Sequence, residues 1–110
     1  MHTHFGKTMM LATVAAALIV LSGGKAMAQD GKALYTAKLC TTCHGEEGKA
    51  PIMPVYPKLA GQTAAYTEQQ IKDIRDKKRT NGQTAAMQAL VAPVTDAEIK
   101  AIATYLSTVK

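Results

Sequence analysis

Apolar side chains are spaced differently in successive stretches of this chain. Met9 to Leu21 is nearly continuous and is broken by Ser22-Gly23-Gly24. Later stretches are interrupted at helical intervals. From Gly31 to Leu39, Ala33, Leu34, Ala37 and Tyr35 are placed inward, and Lys32 and Lys38 outward. That pattern predicts a helix with Asp30 as its N-cap. Ala64 to Lys78 predicts a second, with Tyr66, Gln70, Ile71 and Ile74 near one side, and the Asn81-Gly82 turn follows it. Ala85 to Val91 predicts a short third, stopped before Pro93. Thr95-Asp96-Ala97-Glu98 reads as a capping box. It opens a last helix with Ile99, Ile102, Ala103 and Leu106 on one face. No segment alternates convincingly at period two. Cys43 to Gly61 carries Pro51, Pro54 and Pro57 with Gly45, Gly48 and Gly61, and reads as a long loop. Such loops are uncommon in compact domains and tend to be functional. The chain therefore reads as all-α: four short helices and one large loop.

Length and composition narrow this picture. The chain has 110 residues, enough for one small domain. Residues 1–28 have the layout of a secretory signal peptide: Lys7, the apolar run, then Ala26-Met27-Ala28 as a small-x-small cleavage site. The run is short of the ~20 residues that span a bilayer. The expected division is a cleaved leader, 1–28, and one domain, 29–110, exported to the periplasm without stable membrane insertion. Outside the leader, 11 basic and 8 acidic residues leave a net charge of +3. That charge can steer the domain toward acidic partner surfaces. It is too weak and scattered for nucleic acid, and Lys77-Lys78-Arg79 reads as a solvated helix end. Residues 29–110 hold only twenty apolar side chains larger than alanine, cysteines aside. A core this thin calls for a staple such as a disulfide, a metal or a large cofactor.

The chemistry lies in Cys40-Thr41-Thr42-Cys43-His44. C-x-x-C-H is the attachment pattern of c-type haem. Two thiols at this spacing can each add to one porphyrin vinyl group, and the next imidazole reaches the iron from one face. A thioredoxin-like pair would need strands. Structural zinc would need four ligands, and residues 29–110 supply two Cys and one His. A disulfide closing so short a loop would restrict the unfolded chain little. Two methionines remain as a sixth iron ligand. Met53 lies nine residues after His44, on a loop leaving the same side, whereas Met87 has the chain length to wrap around. A thioether opposite an imidazole raises the potential. Iron with both axial positions filled performs outer-sphere electron transfer rather than substrate chemistry, so the domain reads as no enzyme.

With these residues the chain resembles the small bacterial class I c-type cytochromes, from Gly31 to about Leu106. The resemblance implies the class I cytochrome c fold, with the helices and long loop wrapped around one covalent haem c on Cys40 and Cys43. It implies His44 and Met87 as axial ligands. Tyr56-Pro57-Lys58-Leu59-Ala60-Gly61 is similar to a family segment in which the Pro57 carbonyl would orient His44 and Leu59 would pack on the haem. Arg79-Thr80-Asn81-Gly82 is similar to the loop leading to the axial methionine, with Asn81 donating to its sulfur or to a propionate. Gly31 and Tyr35 would meet Ile102, Tyr105 and Leu106 where the terminal helices cross; the family often has Phe where Tyr35 stands. The function implied is a monomeric periplasmic one-electron carrier. The alternative is a cytochrome subunit of a dehydrogenase or oxidase complex. Its partners would be redox proteins (cytochrome complexes, oxidases or dehydrogenases) with acidic docking surfaces, met by Lys38, Lys49 and Lys58.

Overall fold

The computed structural model describes residues 30–110, so the expected leader, 1–28, lies outside the described residues. The helices are α1 (Gly31–Ala37), α2 (Cys40–His44), α3 (Ala64–Arg75), α4 (Thr84–Val91) and α5 (Asp96–Thr108), with a 3-10 turn at Glu46–Gly48. Among the described residues there is no strand. Among the described residues the all-α expectation holds, with five helices in place of four.

The additional helix arises from a break at Leu39. The apolar periodicity runs through this residue, but α1 stops at Ala37. Leu39 takes the left-handed conformation, φ 65° and ψ 20°, and the chain restarts as α2 on the cysteine motif. A left-handed leucine costs about 1–2 kcal/mol, and periodicity gives no hint of it.

The inward face of α1 also differs from expectation. Ala33 and Ala37 are exposed, while Gly31 and Tyr35 are buried. The pair lies four residues apart and meets α5. A Cβ on Gly31 would lie 2.7 Å from the Tyr105 Cβ and would strike the Ala101 carbonyl. Asp30 caps α1 by accepting from the amides of Lys32 and Ala33 at 3.0 and 3.2 Å.

Helix α3 ends at Arg75, three residues before the expected Lys78. Lys77 turns left-handed at φ 59°. The Lys77 amide then donates to the Ile74 carbonyl (3.2 Å) and the Lys78 amide to that of Asp73 (2.7 Å). This pair of bonds is a Schellman closure. Helix α4 starts at Thr84, one residue early. The capping box of α5 forms both its bonds, Glu98 N–H to Thr95 Oγ1 at 3.2 Å and Thr95 N–H to Glu98 Oε1 at 3.1 Å.

Helices α1 and α3 both pack on α5. The core joins Tyr35, Ile71, Ile74, Val91, Val94, Ile99, Ile102 and Leu106. Arg75 ties three helix ends together. Its guanidinium donates to the Val94 carbonyl (3.1 Å) and pairs with Asp96 (2.6 Å), while Gln88 donates to its carbonyl (3.3 Å).

Candidate haem-binding site

The loop after α2 folds back beneath it. Gly48 is buried at φ 68°, and a Cβ there would lie 2.9 Å from the Leu59 Cβ. Only glycine fits both the conformation and the approach. Its carbonyl accepts from the amides of Leu59 (2.9 Å) and Ala60 (3.1 Å). This anchors the Pro57–Leu59 segment, and the Pro57 carbonyl lies 2.9 Å from His44 Nδ1. A carbonyl can only accept, so Nδ1 carries the proton. The Nε2 lone pair is thereby left for a metal, the usual arrangement of a ligating imidazole. His44 is 7% exposed. Burial pushes its pKa down, and the bond to Pro57 partly opposes that shift.

Tyr35 adds a bond that the sequence pattern did not reveal. Its hydroxyl donates to the Gly45 carbonyl at 2.7 Å, directly after His44. Burial is the main cause holding that hydroxyl far above its ordinary pKa, so it stays protonated.

Cys40 and Cys43 are half-buried and unbridged. Burial pushes the Cys40 thiol up to about 11. A thioredoxin-like pair would need strands, and there is none among the described residues. Among the described residues no three His, Cys, Asp or Glu side chains cluster to hold a bare metal ion.

One cavity collects nearly all the candidate residues. Cys40, Cys43, His44, Pro57, Leu59, Asn81 and Met87 all line it. Its volume is about 300 Å³, and it opens to solvent. Tyr35, Ile71, Ile102 and Leu106 form apolar walls. A large, flat, mostly apolar group with two thiol-reactive edge positions fits this setting, as haem does.

The two methionines separate clearly. Met87 is half-buried, packs against the core and lines the cavity. Met53 is 46% exposed and does not line it. Leu59 also packs on the core. Asn81 lines the cavity, but its Oδ1 already accepts from Arg79 Nε at 3.3 Å. Tyr66 lies on the cavity wall at 54% exposure, not in the core.

The charged residues depart from expectation. Lys38 is paired with Glu98 at 3.1 Å and Lys49 with Glu47 at 2.9 Å. Each neighbouring carboxylate cancels most of the field that a free lysine would project. Lys58 is exposed at the cavity and makes no ion pair among the described residues. Arg79 is not a solvated helix end. It is half-buried, lines the cavity and donates to Gln70 Oε1 at 3.1 Å. Neither this bond nor the buried Thr84 had a signature in the residue pattern.

Comparison with known proteins agrees with this geometry. A family model described as Cytochrome c matches residues 28–110. The chain is 41% identical over 68 residues to cytochrome c-554(548) of Halomonas halodenitrificans, covering 62% of this chain and 81% of that protein. It is 36% identical over 103 residues to a thiosulfate dehydrogenase electron acceptor of Stutzerimonas stutzeri, covering 87% of this chain and 45% of that one. Reduced recombinant cytochrome c4 from Pseudomonas stutzeri superposes with a TM-score of 0.66 at 33% identity, covering 77% of this chain and 49% of that chain. The chain spans less than half the length of the acceptor and of the cytochrome c4 chains it matches. By the extent of the family match, the chain belongs to the cytochrome c family, and Cys40-Thr41-Thr42-Cys43-His44 is its attachment motif for one covalently bound c-type haem.

Proposed function

We propose that this chain is a monomeric one-electron carrier of the periplasm, built as a leader over 1–28 and a monohaem domain over 29–110. The observation that carries the reading is the shared cavity of Cys40, Cys43, His44 and Met87, with Met53 outside it. When bound, haem supplies an iron that cycles between Fe(III) and Fe(II). His44 would hold the iron through Nε2, with the Pro57 carbonyl fixing its tautomer and its plane. Met87 would hold it through its thioether sulfur. Leu59 and the core residues exclude water from the ring. With both residues retained as ligands the iron would have no open position for substrate, and the domain would carry electrons rather than catalyse a reaction of its own. Retained ligands also keep rearrangement on electron transfer small.

Leu39, Val55, Tyr66 and Leu90 are exposed apolar residues around the same cavity. They supply the contact face for a redox protein, with Lys58 as an exposed cation that makes no ion pair among the described residues. The similarity to a thiosulfate dehydrogenase electron acceptor supports a dehydrogenase as electron donor. Encounters of this kind are small and transient. Among the described residues no helix is long and apolar enough to cross a membrane.

A reduced-minus-oxidised spectrum of the exported protein tests the reading. It should show c-type haem bands, and their absence in a strain competent for haem attachment would overturn it. Met87→Ala should abolish the thioether-to-iron band, and Met53→Ala should leave it. The reverse result would move the ligand to Met53. Co-purification with a larger dehydrogenase or oxidase, rather than migration as a monomer, would favour the complex-subunit alternative.

A further inference from the structure

We propose that Arg79 is a positioning residue for Met87, a role that rests on Met87 as the iron ligand proposed above. Its guanidinium latches the loop before α4 to α3, and so keeps the Met87 end of α4 at the haem cavity.

Helix α4 is held unevenly. Toward its far end Val91 is buried in the core, and Gln88 Nε2 donates to the Arg75 carbonyl at 3.3 Å. Met87 lies at the other end, in the first turn. That turn receives no side-chain cap. The first amides of a helix have no partner within it, so an uncapped start depends on the chain before it. Here the Thr84 amide donates to the Asn81 carbonyl at 3.3 Å, and the turn rests on Asn81.

Packing does little to fix the loop itself. Thr80, Asn81, Gly82 and Gln83 are all exposed, and a Cβ on Gly82 would meet nothing within 4 Å. Among the described residues no hydrogen bond joins Thr80–Gln83 directly to α3 or α5.

Arg79 supplies the tie. Its Nε donates to Asn81 Oδ1 at 3.3 Å, and its Nη1 donates to Gln70 Oε1 on α3 at 3.1 Å. The side chain is half-buried and makes no ion pair among the described residues. Its charge therefore serves these two amide oxygens, and bonds from a charged donor are about twice as strong as neutral ones. The Arg79 amide is fixed as well, donating to the Asp73 carbonyl at 3.0 Å. A continuous path thus runs from Gln70 through Arg79 and Asn81 to the start of the turn that carries Met87. Lysine would keep the charge but lacks the planar fork that serves two acceptors at once.

Imidazole binding to the ferric holoprotein tests the latch. An outside ligand needs the position that Met87 vacates, so its apparent affinity scales with the fraction of molecules in which Met87 has left. The parent should show c-type bands and the thioether-to-iron band. Arg79→Lys and Gln70→Leu should each bind imidazole about tenfold more tightly than the parent, the weight of one hydrogen bond to a charged group. Gln70→Glu, which gives Arg79 a carboxylate acceptor, should bind it no more tightly than the parent. Hydrogen exchange at the Thr84 amide should follow the same order, faster in the first two variants and not in the third. Gly31→Ala is the control for general loosening: it is destabilising but distant from the loop, and should leave imidazole affinity at the parent value.

Unchanged imidazole affinity in Arg79→Lys and Gln70→Leu overturns the latch. So does equal tightening in Gln70→Glu or in Gly31→Ala, because any disturbance would then release Met87. A parent with c-type bands but no thioether-to-iron band would count against Met87 as the ligand instead. Exchange at the Thr84 amide would then decide alone whether Arg79 holds the loop.

Discussion

Tyr35→Phe isolates one bond at the turn that presents His44. Tyr35 is 1% exposed, and its hydroxyl donates to the Gly45 carbonyl at 2.7 Å. The substitution removes that hydroxyl and keeps the ring, so packing against Tyr105, with ring centroids 6.1 Å apart, is largely preserved. The cost depends on what the carbonyl does next. Gly45 O also accepts from the Gly48 amide at 3.2 Å, so it is not left without a partner. The full penalty for an unsatisfied buried group is therefore avoided, and the net value of one neutral bond applies, about 1 kcal/mol. For a domain of this size that corresponds to a fall in Tm of about 4–8 °C. Guanidinium denaturation of the oxidised holoprotein, followed at the haem band, measures it. The m-value should stay constant, because compactness does not change. A loss above about 3 kcal/mol would mean that the hydroxyl holds the His44 turn rather than merely fastening it, beyond the value of one neutral bond. No loss at all would mean that the bond is absent in the folded protein.

Further substitutions test the scaffold. Gly31→Ala should destabilise the holoprotein by about 1–3 kcal/mol, the usual range for overpacking, because the new methyl meets Ala101 and Tyr105; a neutral result in the same denaturation would refute the close crossing. Lys77→Gly should stabilise by a few tenths to about 1 kcal/mol by relieving the left-handed lysine, and destabilisation would show that the lysine itself is needed. The Glu98 carboxyl is held below its ordinary 4.5 by the Thr95 backbone bond first and then by Lys38. A carboxylate with a depressed folded pKa contributes stability that is complete above the unfolded value and is lost as pH falls through the folded one. Glu98→Gln should therefore be less stable than the parent at pH 7, with the two converging as pH falls through the depressed folded value. A gap that persists at low pH would assign the effect to shape rather than charge.

The residue pattern revealed what is local or covalent. The Asp30 cap, the capping box at Thr95 and the inward face of α5 follow from short-range bonds and from period 3.6, and each is present as read. The placement of Cys40, Cys43, His44 and Met87 around one cavity follows from spacing and chain length. Left-handed backbone at residues that disfavour it was not legible. Leu39 and Lys77 carry no sign of their φ values, so periodicity alone extends α1 to Leu39 and α3 to Lys78, past their observed ends at Ala37 and Arg75. Tertiary polar bonds were equally silent. Nothing in the order of residues joins Tyr35 to Gly45, Arg79 to Gln70, or Lys38 to Glu98. Each is set by how helices meet, and the last removes a lysine expected to attract partners.

The distribution of the core explains why so long a loop can sit on so small a domain. The buried cluster draws on α1, α3, the end of α4, Val94 and α5, and between Gly45 and Thr63 only the partly buried Leu59 packs against it. Ile52, Met53 and Val55 in that loop are exposed. Backbone bonds hold it instead, Ile52 to Cys43 at 3.1 Å, Leu59 to Gly48 at 2.9 Å and Gly61 to Leu106 at 3.0 Å, together with His44 to Pro57. Each such bond contributes only about 0.5–1.5 kcal/mol net, which does not outweigh the entropy of ordering so many residues. The missing apolar contact is what a haem fixed to Cys40 and Cys43 would provide to Leu59, Met87 and the walls around them. The same attachment, with the proposed Met87 bond, would join α2 to α4 across the loop and reduce the freedom of the unfolded chain between them. On that account the scarcity of large apolar side chains and the length of the loop have a single cause: the domain is folded around a group that is not part of its sequence.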